Sequence, residues 1–548
     1  MSCSSWRSAC RSPPGSDPPP VSAFFDGLLT ALQPGNLAAL LAGSLLGVFA
    51  GAMPGLSSTV GLALVLPVTF ALDPTPALLM MVSIYMAAEY GGSITAIAIG
   101  VPGSSPALAT TFDGYAMTRR GEAGRALGIS LFSSMSGGLL GTVLLVLALG
   151  PLSRAAIAFG PAEYFGLGVF GLSIVANLVG KDPFKGIVSA LLGLLFFIVG
   201  LDVLTGAPRL TFGTNALMDG LGLVPMLIGF FAIAEALEAV TGRRRSTPPG
   251  DGIAGALPKA RELFGLWRTI LRGSAIGGLI GAIPGAGATI ASIVAWNEER
   301  RVSKTPERFG TGLPAGIAAP EAANNSCVGA AMIPLLALGI PGSASAAVLL
   351  GGLTVQGVAP GPLLMTERSE LVYALYAGFV VAVLLMLAVG RLGIPLWTRV
   401  VRLRPSILMP LVVAISLVGT FSLRGNAADA WAALFFGLVG FAMLRGGYPL
   451  APAVLGLILG PMIETNYRRA LSLSSGSHSI FLESPISLVL ILLAAVSFAA
   501  PAVRSRLISG RTRAPEPDTH DGPDTHDGPD THDGPDAYDN EPRHEEHE

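Results

Sequence analysis

Four short stretches place a Pro-Gly pair immediately before small or hydroxyl residues. They are Pro54-Gly55-Leu56-Ser57-Ser58-Thr59, Pro102-Gly103-Ser104-Ser105, Pro284-Gly285-Ala286-Gly287-Ala288-Thr289 and Pro341-Gly342-Ser343-Ala344-Ser345. Each lies in apolar sequence, and a Pro-Gly pair interrupts a helix. The helix that restarts after it offers unpaired N–H groups, a partial positive charge and nearby hydroxyl donors. That chemistry suits an anion such as a carboxylate. The candidate binding residues are Ser57, Ser58, Pro102, Gly103, Ser104, Ser105, Pro341, Gly342, Ser343 and Ser345. The 102–105 and 341–345 breaks are expected to face each other near mid-membrane. A second set could hold a small cation through oxygen: Glu321, Asn324 and Asn325, with Glu89 and Asp113 from the first half. Glu321 could instead carry a proton, and Asp113 beside Gly114 reads equally as a loop cap. The plainer alternative for all four breaks is proline kinks and small residues that let packed helices approach.

The elements that must position these groups are membrane helices. The chain of 548 residues is 51% hydrophobic and 13% charged, with 70 glycines and a mean hydropathy of +0.62. Soluble domains carry roughly 25% charged residues. Many windows reach the roughly 20 apolar residues that span a bilayer. The expected fold is an all-α polytopic membrane protein with about 10–14 membrane segments, some broken or re-entrant. Cys3, Cys10 and Cys327 form no disulfide framework, and Cys327 reads as a packing residue. No basic stripe with interleaved aromatics is present, so nucleic acid is not an expected partner.

Residues 1–34 read as a disordered N-terminal extension. Residues 35–240 form a first membrane repeat and 241–265 a basic Pro/Gly linker. Residues 266–503 form a second repeat with further C-terminal helices. Residues 504–548 form a disordered His/Asp-rich tail with three copies of DTHDGP, starting at Asp518, Asp524 and Asp530. That tail holds five of the six histidines and reads as solvated low complexity rather than a metal site.

The two blocks repeat each other. Gly51-Ala-Met-Pro-Gly matches Gly281-Ala-Ile-Pro-Gly, and Gly100-Val-Pro-Gly-Ser matches Gly339-Ile-Pro-Gly-Ser. Between these anchors, Ala88-Glu89-Tyr90 is set against Ala323-Asn324-Asn325, and Asp113-Gly-Tyr against Gln356-Gly-Val. The loop NEERRVSKTPERFG from Asn297 is basic where its counterpart ALDPTP has no basic residue. Basic loops stay cytoplasmic, so corresponding loops are expected on opposite sides. That predicts two inverted-topology repeats with a midplane site, as in secondary transporters. A parallel repeat with uneven loop charges is the alternative.

The longer motifs GAMPGLSST, GVPGSSPA, FDGYAMTRRGEAGRALG, GLDVLTGAPRLTFG, GIAAPEAANN, LGIPGSASAAVLLGG and QGVAPGPLL resemble the large permease subunit of the tripartite tricarboxylate transporters. The resemblance covers about residues 35–500. It implies a multi-pass protein of the bacterial inner membrane that imports organic carboxylates by cation symport. It also implies two partners, a small four-helix membrane subunit and a periplasmic solute-binding protein. No cofactor is expected beyond a coupling Na+ or H+. The alternative is a stand-alone ion-coupled organic-anion carrier. An enzyme is not expected: HExxH, GxSxG and paired cysteines are all absent from the sequence. Arg209 is expected to pair structurally with Asp202, and His478 to pack at an interface.

Overall fold

A computed structural model describes residues 20–53, 56–178, 182–202, 204–241, 257–285, 287–393, 396–397 and 405–509. Pro54, Gly55 and Ala286 of two breaks, the His/Asp-rich stretch after residue 509 and most of the basic linker lie outside that set. The described residues from Pro20 to Pro501 form one compact unit. Among the described residues seven helices are long and apolar enough to cross a membrane, and four shorter apolar helices accompany them.

The first block runs α1 (Pro20–Ala31), α2 (Pro34–Ala52), α3 (Ser58–Thr69), α4 (Pro74–Ile99), α5 (Leu108–Arg119) and α6 (Ala123–Ile157). Next come α7 (Pro161–Leu178), α8 (Pro183–Ile198) and α9 (Leu223–Thr241), which contains a π-turn at Ile228–Ile233. The short α10 (Ala260–Gly265) leads into α11 (Trp267–Gly281), α12 (Gly287–Val302), α13 (Pro314–Leu338), α14 (Ala344–Val355) and α15 (Ser369–Leu392). The chain continues with α16 (Pro405–Arg424), α17 (Ala427–Arg445), α18 (Leu450–Leu473) and α19 (Pro485–Ser509).

Local rules place these elements. Both α4 and α13 begin with proline in the first turn, where its missing N–H costs nothing. Both end on a left-handed glycine, Gly100 at φ 71° and Gly339 at φ 73°. Both are buried nearly end to end, so neither shows an amphipathic stripe. Helix α8 stops at Ile198, because Gly200 takes φ 124° and opens a hairpin with two-residue strands. In that hairpin β1 (Gly200–Leu201) pairs antiparallel with β2 (Pro208–Arg209).

α2, α3, α4, α5 and α6 correspond in order to α11, α12, α13, α14 and α15. Their packing corresponds too. α2 lies on α4 and α11 on α13; α15 lies on α4 and α6 on α13; α14 lies on α3 and α5 on α12. The equivalent helices α6 and α15 run antiparallel where they touch: Gly138 of α6 faces Val383 of α15, while Leu131 faces Gly390.

Three glycines one turn apart let each first helix press on the backbone of its neighbour. Gly43, Gly47 and Gly51 face Met80, Ile84 and Ala88; Gly273, Gly277 and Gly281 face Ala319, Ala323 and Cys327. These stripes fix the register, with Ala88 equivalent to Cys327. The expected match of Ala88-Glu89-Tyr90 with Ala323-Asn324-Asn325 is therefore corrected by one helical turn. Glu89 corresponds to Val328, Tyr85 to Asn324 and Val82 to Glu321. The backbones match while the polar side chains do not.

The N-terminal extension is also corrected. Within 1–34, Pro20–Ala31 is helical and packs on α15, with Gly27 against the backbone of Tyr373. The linker is shorter than expected, because Glu262 on α10 accepts 2.5 and 2.9 Å hydrogen bonds from Arg125 of α6. The helix-by-helix correspondence covers only α2–α6 and α11–α15, a narrower span than the expected repeats 35–240 and 266–503; beyond it, α7, α8 and α18 share a core with Leu167, Val175, Ala190 and Leu455. α9 packs on α3, α16 and α17. Arg209 does meet Asp202, at 3.4 Å, within a network that includes Arg468–Asp202 at 2.9 Å and both arginines on Glu464 at 2.7 Å. His478 Nε2 lies 2.9 Å from the Tyr467 hydroxyl.

Candidate substrate and ion site

The breaks before α3 and α14 meet. Ser57 and Ser343 are the N-caps, each with extended backbone, and their Oγ atoms accept the N–H of Val60 at 3.3 Å and Ala346 at 3.1 Å. The Ser343 Oγ also lies 2.7 Å from the Tyr85 hydroxyl. Ser58 donates to Glu89 Oε1 at 2.6 Å. Ser345 Oγ lies 2.8 Å from Ser58 Oγ and 2.9 Å from Thr59 Oγ1. Each hydroxyl has a single hydrogen. Because Ser58 spends its hydrogen on Glu89, Ser345 donates to Ser58 and Thr59 donates to Ser345. A directed row, Thr59 to Ser345 to Ser58 to Glu89, therefore crosses between the repeats.

Polar atoms without partners surround the end of this row. Glu89 is 3% exposed and Asn324 fully buried, yet Glu89 Oε2 and Asn324 Oδ1 have no hydrogen bond. Asn324 Nδ2 donates to the Glu89 backbone oxygen at 3.3 Å. Buried polar atoms are normally paired, so these two free oxygens lack the partners that buried groups usually have. The Asn325 Oδ1 is also free, while its amide donates to the Glu321 backbone oxygen at 3.2 Å.

Glu321 sits in a separate hydroxyl pocket. It accepts from Thr110 at 2.5 Å on one oxygen, and from Ser134 at 2.8 Å and Ser130 at 3.2 Å on the other. Asp113 belongs to neither cluster. Its Oδ1 accepts the N–H groups of Gly310, Gly312 and Leu313, and its Oδ2 accepts Trp296 Nε1. With four donors filling it, Asp113 fastens the loop before α13, and the expectation of an ion ligand there is corrected to the loop-capping alternative.

The 102–105 and 341–345 breaks are not paired with each other as expected. The 341–345 break is bonded to the start of α3, and the turn at 105–107 packs on α12. Each break thus meets the short helix of the other repeat. Gly103 donates its N–H to Gly92 O at 3.1 Å and packs on the Gly51 carbonyl, whereas Gly342 packs on the Gly281 carbonyl. These glycines serve close packing. Ser104 is 5% exposed with a free Oγ, whereas Ser105 is exposed. Sequence reasoning missed Thr59, Tyr85, Thr110, Ser130, Ser134 and Glu235 as polar partners. Glu235 had a usable signal, an acid interrupting the apolar run FFAIAEAL. Ser130 and Ser134 had none, since serine is common in packed membrane helices.

Paired broken helices with buried oxygens at their ends define a class, polytopic membrane proteins that handle small solutes. A family model described as the tripartite tricarboxylate transporter TctA family matches residues 37–455, and the chain belongs to that family. It is accordingly a multi-pass protein of a transporter family. It is 36% identical over 483 residues to the Agrobacterium vitis "Uncharacterized 52.8 kDa protein in TAR-I ttuC' 3'region", covering 88% of this chain and 96% of that one. A second A. vitis protein, "Uncharacterized protein in TAR-II ttuC' 3'region", is 34% identical over 233 residues, 42% of this chain and 96% of that one. No solved structure matches the chain.

Proposed function

We propose that this chain is the large permease subunit of a binding-protein-dependent secondary transporter. It imports an organic carboxylate together with a cation, Na+ or H+, across a bacterial inner membrane. Its partners are a small four-helix membrane subunit and a periplasmic solute-binding protein. The observation that carries this reading is the hydroxyl row between the α3 and α14 N-termini, ending at the free oxygens of Glu89 and Asn324. Helix ends and hydroxyls suit a carboxylate, and the adjoining free oxygens suit a cation. Opposed running of equivalent helices supports inverted topology with the site near the midplane.

The test is uptake into proteoliposomes that contain this chain and its small subunit. The binding protein is supplied outside, with radiolabelled citrate and shorter di- and monocarboxylates as probes. An imposed Na+ or pH gradient should drive accumulation of one probe, and collapsing that gradient should abolish it. Accumulation unaffected by collapse of both gradients would remove cation coupling. Equal rates without the binding protein would favour the stand-alone carrier.

A further inference from the structure

We propose that Glu235, on α9 and beyond the α2–α6 and α11–α15 correspondence, is a second cation-holding carboxylate at the α3 N-terminus, so that two positive charges bind there before the substrate anion. The inference rests on the reading of Glu89 and Asn324 as a cation site. Ser58 donates to Glu89 Oε1, and its neighbour Ser57 donates to Glu235 Oε2 at 3.1 Å. Adjacent hydroxyls at one helix start therefore hold two carboxylates. The placement of Glu235 depends on the π-turn at Ile228–Ile233, which ends one residue before Ala234 and two before Glu235. An extra residue in a helical turn rotates the rest of the helix by about 100°, and such turns recur at functional sites. The buried packing of α9 on α3 then presents Glu235 to Ser57.

Neither carboxylate has a fixed counter-charge: among the described residues no ion pair includes Glu89 or Glu235. Glu238, less than one turn further along α9, is paired with Arg445 at 2.8 Å. Glu235 is thus an unpaired acid beside a paired one. The second indicator of a ligand is the free, buried Glu89 Oε2 together with the free Asn324 Oδ1. Two anionic groups at this helix end repel an arriving carboxylate. A positive charge on each removes the repulsion and leaves the helix dipole and the hydroxyls to attract the anion. Cation binding therefore precedes anion binding, and two charges accompany each substrate.

Equilibrium cation binding to the purified full-length protein tests this without a substrate. One arm titrates radiolabelled sodium chloride at fixed pH. The other measures protons taken up from a weakly buffered, sodium-free solution as the pH is lowered, with the Glu235→Gln and Glu89→Gln variants read as differences from wild type. The expected result is two cations of one kind per chain in wild type, one in Glu235→Gln, and two with several-fold weaker binding in Ser57→Ala and Glu235→Asp. An unchanged count in Glu235→Gln overturns the proposal while leaving the Glu89 site standing. A count unchanged in both glutamine variants would overturn the underlying reading as well. Should Glu235→Gln fail to fold, unchanged affinity in both Ser57→Ala and Glu235→Asp overturns the proposal by itself.

Discussion

Ser345 donates to Ser58 across nearly 290 residues of sequence, and this contact belongs to neither repeat alone. Losing a hydrogen bond to a charged group costs about 1.5–3 kcal/mol, or roughly ten- to a hundredfold in affinity. Ser58→Ala removes the donor to Glu89 directly. It should raise the half-saturating cation concentration by up to that factor at normal membrane abundance, as read from uptake against cation concentration. Ser345→Ala acts one step removed and should have a smaller effect; an equal or larger effect would contradict the order of the row. Gly103→Val and Gly342→Val belong to a different kind of experiment. Their new side chains meet the carbonyls of Gly51 and Gly281, so both variants should lose folded protein. Size-exclusion profiles of heated detergent extracts would show a lowered melting midpoint; wild-type profiles with poor uptake would restore a binding role for these glycines. Sequence made Ser57, Ser58, Ser343 and Ser345 legible, because a hydroxyl after a Pro-Gly break is a local signature. It left Glu235 and Tyr85 out, because their roles depend on which helices touch.

Helices pack here through features of unequal legibility. Breaks at Pro341 and the left-handed turns at Gly100 and Gly339 follow from local backbone chemistry. The one-turn shift between α4 and α13 does not, since it is set by where Gly43, Gly47 and Gly51 press on another helix. The hairpin at 200–209 shows a second dependence on distant partners. The backbone N–H of Thr205, then that of Leu204, with Arg468 adding to them, holds the Asp202 carboxyl well below the usual carboxylate range. A depressed acid contributes stability that is fully present above its unfolded value near pH 4, and is lost only as pH falls toward the lowered folded value. The hairpin should therefore hold its fold between pH 5 and 8 (roughly, on that unfolded value). Asp202→Asn should loosen it at every pH in that window, read as faster limited proteolysis between Leu201 and Pro208. Equal cleavage rates for variant and wild type would mean that the network does not secure the turn.

At the scale of the molecule, inverted repeats require corresponding loops on opposite sides of the membrane. Asp73 before α4 and Ser303 after α12 mark two such loops. Single cysteines at these positions, in a background with the native cysteines replaced, should react with an impermeant maleimide from opposite faces of oriented vesicles. Labelling of both from one face would reject inversion. Deleting residues 515–548 should leave uptake intact, because a tail of repeated DTHDGP cannot bury a core. Loss of uptake at normal abundance would give the tail a role.

Every hydrogen in the row from Thr59 to Glu89 points toward the carboxylate. A proton settling on Glu89 turns an acceptor into a donor, and the row can then reverse as a unit. Ser58 would accept from Glu89 and donate to Ser345, and Ser345 would donate to Thr59. The Thr59 hydrogen, released from Ser345, would be left to face outward. Such a reversal would make the row a polarity relay, in which charge arriving at one end changes what the other end offers an anion. Thr59→Val, which keeps the shape and removes the hydroxyl, isolates that far end. If the relay operates, Thr59→Val should weaken carboxylate binding more strongly at a pH where Glu89 is protonated than at one where it is ionised. Equal weakening at both would leave Thr59 as an ordinary contact.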